Sequence, residues 1–204
     1  MIPLFDKMRK KCGADPLFVC RTGSKLFCDS QKDNDYVAVF EKSDVDYIHL
    51  RINGDCVFCY TKDCFEKMLT FQMEDFFNMH SVIMLFANGE NLVFGQNPFP
   101  RYNWWNYRTK TVSCLLNVMD KTLSPPFATN AFNEKMCIKN TIWLFATYFV
   151  LQNRHTQFTP KQQKLLQLCH DNKLPVQYLK RLRTALLQMQ EGFTLEKSLT
   201  EDLP

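Results

Sequence analysis

The sequence predicts an α+β chain: a small mixed β-sheet with helices packed on it over residues 1–100, then a helical bundle over residues 101–204. Three observations predict it. Two short apolar runs rich in β-formers, residues 17–20 and 37–40, flank a turn at Gly23-Ser24. Asn53-Gly54 separates two more such runs, YIHLRI and DCVFCY, which is a strong local hairpin signal. Beyond Pro100 the apolar residues recur at helical spacing, and the breaks fall at Ser124-Pro125-Pro126, Thr159-Pro160 and Leu174-Pro175.

Each element has its own local reason. Residues 2–11 form an amphipathic helix with Ile2, Phe5 and Met8 on one side, and Cys12-Gly13 ends it. The hairpin's two-residue turn pairs Ile52 with Asp55 and Leu50 with Val57 and needs positive φ at Asn53 and Gly54. Thr61 caps a helix over 64–71 that buries Phe65, Met68 and Leu69. A second helix covers 73–86, Leu92-Val93-Phe94 is a short strand, and 95–100 is a loop. Helices then follow over 102–119, 134–152, 160–172 and 176–190, with Thr159 as cap and Pro160 at the first position of the third. Residues 192–204 form an acidic tail.

With 46% apolar residues and 18 Phe, the chain can bury a sizeable core. Nine cysteines are scattered along it, and MIPLFDKMRKKCG lacks the apolar stretch of an export signal, so free thiols in a reducing cytoplasm are expected. No apolar run reaches the roughly 20 residues of a membrane span. The nearest, 142–151, reads as a core helix. The net charge of +4 hides an asymmetry: 11 basic against 14 acidic side chains up to residue 100, and 14 against 7 after it. An acidic half beside a basic half suits a polyphosphate or nucleic-acid ligand, although a solvated helical surface has the same composition.

The chemistry concentrates in LFVCRTGSKLFCDSQKDNDYVAVF, residues 17–40. Gly23 lets the backbone turn sharply and approach a ligand closely, and the N–H groups after it would form an anion site. Asp33 and Asp35 are two apart, so on an extended strand they share a face. Two carboxylates facing a phosphate cradle suit a divalent metal bound to a nucleoside triphosphate. The bland alternative is a strand–turn–strand with solvated loop acids.

This stretch resembles the signature of the DNA polymerase β-like nucleotidyltransferase superfamily, in which a Gly-Ser pair ends the first strand and an Asp-x-Asp pair sits on the second. Aligned without gaps, that pair falls on Asp35 and Val37; with a loop two residues shorter it falls on Asp33 and Asp35. MLFANGENLVFGQNP, residues 84–98, adds a likeness to predicted nucleotidyltransferases of phages and of bacterial RNA-repair operons. The resemblance implies Mg²⁺-dependent transfer of a nucleoside monophosphate from a triphosphate to a hydroxyl on RNA, protein or a small molecule. It assigns Gly23, Ser24 and Lys25 to the phosphates and Asp33 and Asp35 to metal. A third carboxylate belongs on a later strand, where Asp55 is the candidate. Lys135 and Lys139 share a helix face from which they would reach a triphosphate or simply meet solvent. The alternative is the same fold with an eroded metal site, serving as a nucleotide-, RNA- or protein-binding regulatory module. A weaker reading is a helical RNA-binding protein using the basic half.

Other clusters are less specific. Cys56-x-x-Cys59 is a single pair whose members a strand sends to opposite faces, so buried free thiols are favoured over zinc. The four histidines show no ligand spacing. Aromatic and basic residues interleave over 101–108, which suits base stacking or helix-start packing. Lys180-Arg181-Leu182-Arg183 is a basic cluster on the last helix.

Overall fold

The computed structural model describes residues 3–23, 34–70, 72–73, 91–96, 104–123, 131–153, 157–191 and 199. The expected helix over 73–86 apart from residue 73, the break at 124–126 and all of the tail but residue 199 lie outside the described residues.

The elements in chain order are α1 (Pro3–Cys12), β1 (Phe18–Thr22), β2 (Asp35–Phe40), β3 (Tyr47–Ile52), β4 (Asp55–Thr61), α2 (Lys62–Leu69), β5 (Leu92–Gly95), α3 (Trp104–Leu123), α4 (Ala131–Asn153), α5 (Pro160–His170) and α6 (Val176–Gln190). The five strands form one sheet in the order β3-β4-β2-β1-β5. It is mixed: β2 runs parallel to β4, and every other pair is antiparallel. This is the expected α+β architecture, with the helices following the sheet.

Most boundaries lie within two or three residues of those expected. The hairpin forms as read, with Ile52 opposite Asp55 and Leu50 opposite Val57. Its turn residues have φ of 56° at Asn53 and 96° at Gly54. The mirror-image turn that joins two right-twisted strands requires this conformation, and Asn-Gly supplies it at the least steric cost. The Thr61 side chain accepts the Cys64 N–H at 3.3 Å and donates to Asp46 Oδ1 at 3.2 Å, fastening the loop before β3 to the start of α2. Thr159 and Gln162 form a reciprocal capping box at α5, with Pro160 in its first turn.

Strand alternation sorts the sheet's side chains into two layers. Val19, Ala38, Phe40, Leu50, Ile52, Val57 and Cys59 face one way and pack under Leu4, Met8 and Cys12 of α1. Phe18, Cys20, Val37, Val39 and Tyr60 face the other way, and their cluster runs on through Phe65 and Met68 of α2 into the helices after residue 104. The α/β part and the helical part therefore share one apolar core. Burying a Phe or Val side chain contributes about 2 kcal/mol, so this layer is a major source of stability. In α4 every residue from 141 to 151 is buried, the core helix expected there. Its sequence is apolar on all sides because neighbours surround it.

The seven described cysteines are free. Cys56 and Cys59 fall on opposite faces of β4, as the strand period requires. Among the described residues no helix is long and apolar enough to cross a membrane.

Candidate functional site

β1 and β2 pair with Thr22 opposite Asp35, so Gly23 leaves the sheet beside the first residue of β2. Gly23 is buried, with φ of +81°. A methyl group there would meet the Asp35 carboxylate oxygen and lie 2.7 Å from Asp35 Cβ and Cγ. Contact that close leaves room only for hydrogen, and the positive φ is one that L side chains rarely adopt. Two constraints thus require glycine at the position the sequence marked.

The register continues across the sheet as one row. Thr22 faces Asp35 on β2, Asp35 faces Cys56 on β4, and Cys56 faces Arg51 on β3. These four side chains share a face at one end of the sheet. Asp35 and Cys56 are half-buried, Arg51 is exposed, and Thr22 is only 1% exposed. The Thr22 hydroxyl finds no hydrogen-bond partner among the described residues. A buried polar group is normally paired, because leaving it unpaired costs about 1–3 kcal/mol. An unsatisfied hydroxyl beside a half-buried carboxylate is the kind of exception found where a ligand docks.

Asp55 takes a different role from its neighbour. It lies one residue before the partner of Asp35, so its side chain belongs to the opposite face, with Val57 and Cys59. Its Oδ1 accepts the Asn34 backbone N–H at 3.0 Å and the Asn34 side-chain amide at 3.1 Å. The Asn34 carbonyl in turn accepts the Cys56 N–H at 3.0 Å. Asp55 thereby clasps the residue that leads into Asp35 and fixes where the parallel β2–β4 pairing begins.

The structure brings Gly23 and Asp35 together and sets Asp55 behind them. Ser24, Lys25 and Asp33 lie outside the described residues. Lys139 is exposed on α4, on which Lys135 also falls, though the Lys135 side chain lies outside the described residues. Sequence reasoning did not single out Thr22, Asn34 or Arg51, and it weighed Cys56 only as a thiol. The hairpin turn alone set Arg51 opposite Cys56, but no local signal announces that β4 pairs parallel with β2.

The oxygen donors described at this end of the sheet are one carboxylate, Asp35, and one hydroxyl, Thr22. Mg²⁺ takes oxygen ligands, keeps several waters, and needs only one or two carboxylates besides the substrate's phosphates. Asp35 supplies one carboxylate, and the unsatisfied Thr22 hydroxyl lies in the same row. Among the described residues no group of three or more His, Cys, Asp or Glu side chains gathers as a metal site.

The thiol of Cys20, one step along β1 on this face, is pushed up to about 12 by burial. Burial thus favours its neutral form.

No protein-family model matches the chain, and no curated protein matches it. Among solved structures, it is similar to a nucleotidyltransferase-like protein from Exiguobacterium sibiricum 255-15, with 11% sequence identity and a TM-score of 0.31 over 97% of this chain and 67% of that one.

Proposed function

We propose that the Asp35 end of the sheet binds a nucleoside triphosphate with Mg²⁺ and transfers its nucleotidyl group to a hydroxyl acceptor. The observation that carries this reading is the close contact of Gly23 with the Asp35 carboxylate, beside the unsatisfied hydroxyl of Thr22. This supports the reading because the packed carboxylate would offer a hard oxygen ligand at the turn where the expected phosphate-holding residues begin. When bound, Mg²⁺ would neutralise charge on the triphosphate and polarise its phosphorus centres.

The chain's own residues would do the rest. Asp35 and Asp33 would hold the metal-bound phosphates in line with the acceptor. Gly23, Ser24 and Lys25 would hold the β- and γ-phosphates, with Lys135 and Lys139 as further cations. The acceptor oxygen would bond to the α-phosphorus as the bond to pyrophosphate breaks. Its proton would pass to a third carboxylate, the role for which the sequence offered Asp55. The likeness of residues 84–98 to nucleotidyltransferases of phages and RNA-repair operons makes RNA the first acceptor to try.

A specific observation favours a second reading. Asp55 is tied to Asn34 on the far face, and Cys56 occupies the β4 place beside Asp35. A site left without a third carboxylate would bind nucleotide and catalyse nothing, and the chain would then be a regulatory binding module.

One experiment separates the two. Calorimetry with ATP, GTP, CTP and UTP, with and without Mg²⁺, is paired with an assay of pyrophosphate release in the presence of RNA. Mg²⁺-dependent binding that is lost in Asp35→Asn, together with pyrophosphate release, supports the transferase. Binding without release supports the module. Absence of binding by all four nucleotides sinks both.

A further inference from the structure

The row that contains Asp35 has a neighbour whose chemistry the proposed transfer does not use. Strand β3 is an edge of the sheet, and its alternate residues Tyr47, His49 and Arg51 lie on the Asp35 face. All three are exposed. His49 lies opposite Phe58 on β4, and the two rings stack with centroids 4.7 Å apart and planes 7° from parallel. Tyr47 and Tyr60 make the next pair, 4.9 Å apart and inclined by 30°. Phe58 packs against the core, whereas His49 stands at the rim, so one imidazole face meets Phe58 and the other points beyond the last strand. A flat ring that is held parallel to a buried ring is a ready platform for another flat ring.

We infer that the base of the bound nucleotide stacks on the outer face of His49 and continues the Phe58–His49 stack, with Arg51 beside the triphosphate. This assignment rests on the nucleotide reading of the Asp35 site. Two features on this face support it. First, His49 lies two strands and two residues from Asp35, a separation of about 12 Å from strand spacing and rise. An extended nucleoside triphosphate spans a distance of this order between its base and its distal phosphates. Second, Arg51 stands at the β3 end of the Asp35 row, two residues from His49 and two strands from the carboxylate, where its guanidinium would complement polyphosphate charge. The platform makes no hydrogen-bond reading of a base edge among the described residues, so it predicts a site that favours any base over none and large purines over pyrimidines.

The test compares Mg-ATP with Mg-tripolyphosphate, which carries the phosphates and lacks base and ribose, by calorimetry on the full chain. The wild type is expected to bind ATP about tenfold tighter than tripolyphosphate, in line with one base–aromatic stack. His49→Ala is expected to bring ATP down to the tripolyphosphate level and to leave tripolyphosphate affinity unchanged. His49→Phe, which keeps the flat ring, is expected to retain the ATP advantage. Because His49 is exposed, an unchanged Tm in both variants shows that the fold is intact. An ATP advantage that survives in His49→Ala overturns the inference, as does a loss shared equally by both ligands. If the wild type binds tripolyphosphate and gains nothing from the base, the platform falls and the Asp35 phosphate site stands. If it binds neither ligand, both fall together.

Discussion

Gly23 and Asp35 are packed so closely that a methyl group on the glycine would lie 2.7 Å from two carbons of the aspartate. The positive φ of Gly23 and the position of Asp35 at the first residue of β2 therefore depend on each other. Gly23→Ala must either push the carboxylate aside or distort the end of β1. The expected result is a loss of about 1–3 kcal/mol in chemical denaturation, from strain at a backbone conformation that alanine avoids. The same variant should lose Mg²⁺-dependent nucleotide affinity. A Gly23→Ala protein with wild-type stability would show that the contact is not constraining.

Asp55 offers a cleaner distinction between a metal ligand and a positioning residue. Its Oδ1 accepts two hydrogen bonds from Asn34. Asp55→Asn keeps an oxygen acceptor at that place, and Asp55→Ala removes it. A positioning role predicts that the Asn variant keeps Mg²⁺–nucleotide affinity to within a few-fold, while the Ala variant loses stability by about 1–3 kcal/mol. Equal loss of Mg²⁺ binding in both variants, with stability intact, would make Asp55 a ligand.

The pH dependence of stability should be steepest on the alkaline side. Burial pushes the Cys20 thiol from its ordinary 9.0 up to about 12, and it also raises Cys59, Tyr60 and Tyr148. In each case the neutral form is the one the fold favours. The unfolded chain ionises these groups first, so their contribution is complete below about pH 9 and is lost as the pH climbs toward the folded values. Thermal denaturation between pH 8 and 11 should show Tm falling, and Cys20→Ala should flatten that slope. A slope unaltered by the substitution would remove Cys20 from the account.

Much of the fold was legible because its causes are local. Asn53-Gly54 set both the turn and the register of β3 with β4. Thr61 and Thr159 announced helix starts through hydroxyls that accept the N–H three residues on. The approach of Gly23 to Asp35 was legible for a similar reason, since β1 and β2, which carry them, follow one another in the chain. The row Thr22–Asp35–Cys56–Arg51 was not, because it depends on β4 joining β2 in parallel, and that pairing is set by burial of both faces at once. The face taken by Asp55, with Val57 and Cys59, was legible, because it follows from strand alternation alone.

The helix cap at Thr159 gives a prediction independent of the site. Its hydroxyl accepts the Gln162 N–H at 3.3 Å, and Gln162 Oε1 accepts the Thr159 N–H at 2.9 Å and an Asn153 side-chain amide at 3.0 Å. The box therefore joins the end of α4 to the start of α5. Thr159→Ala should cost about 1 kcal/mol with nucleotide binding unchanged. Urea denaturation of the full chain measures it, and a loss below about 0.3 kcal/mol would mean that the cap is not needed.

The strand order also sets an order of assembly. β3 and β4 are joined by a two-residue turn and can pair as soon as the chain collapses, whereas β2 must wait for β4 to complete its parallel neighbour. β5 joins β1 only after most of the first hundred residues have been laid down, and the register of the two strands shifts between Val19 and Cys20, which face Phe94 and Leu92. Contacts between distant parts of a chain form late because loop closure must come first. The β1–β5 ladder is thus expected to close last and open first. In native-state hydrogen exchange, the amides of residues 92–95 should open at lower free energy than those of β2 and β4. The two edges would then behave differently: the β3 edge stays set in a local hairpin, while the β5 edge opens and recloses within the folded protein.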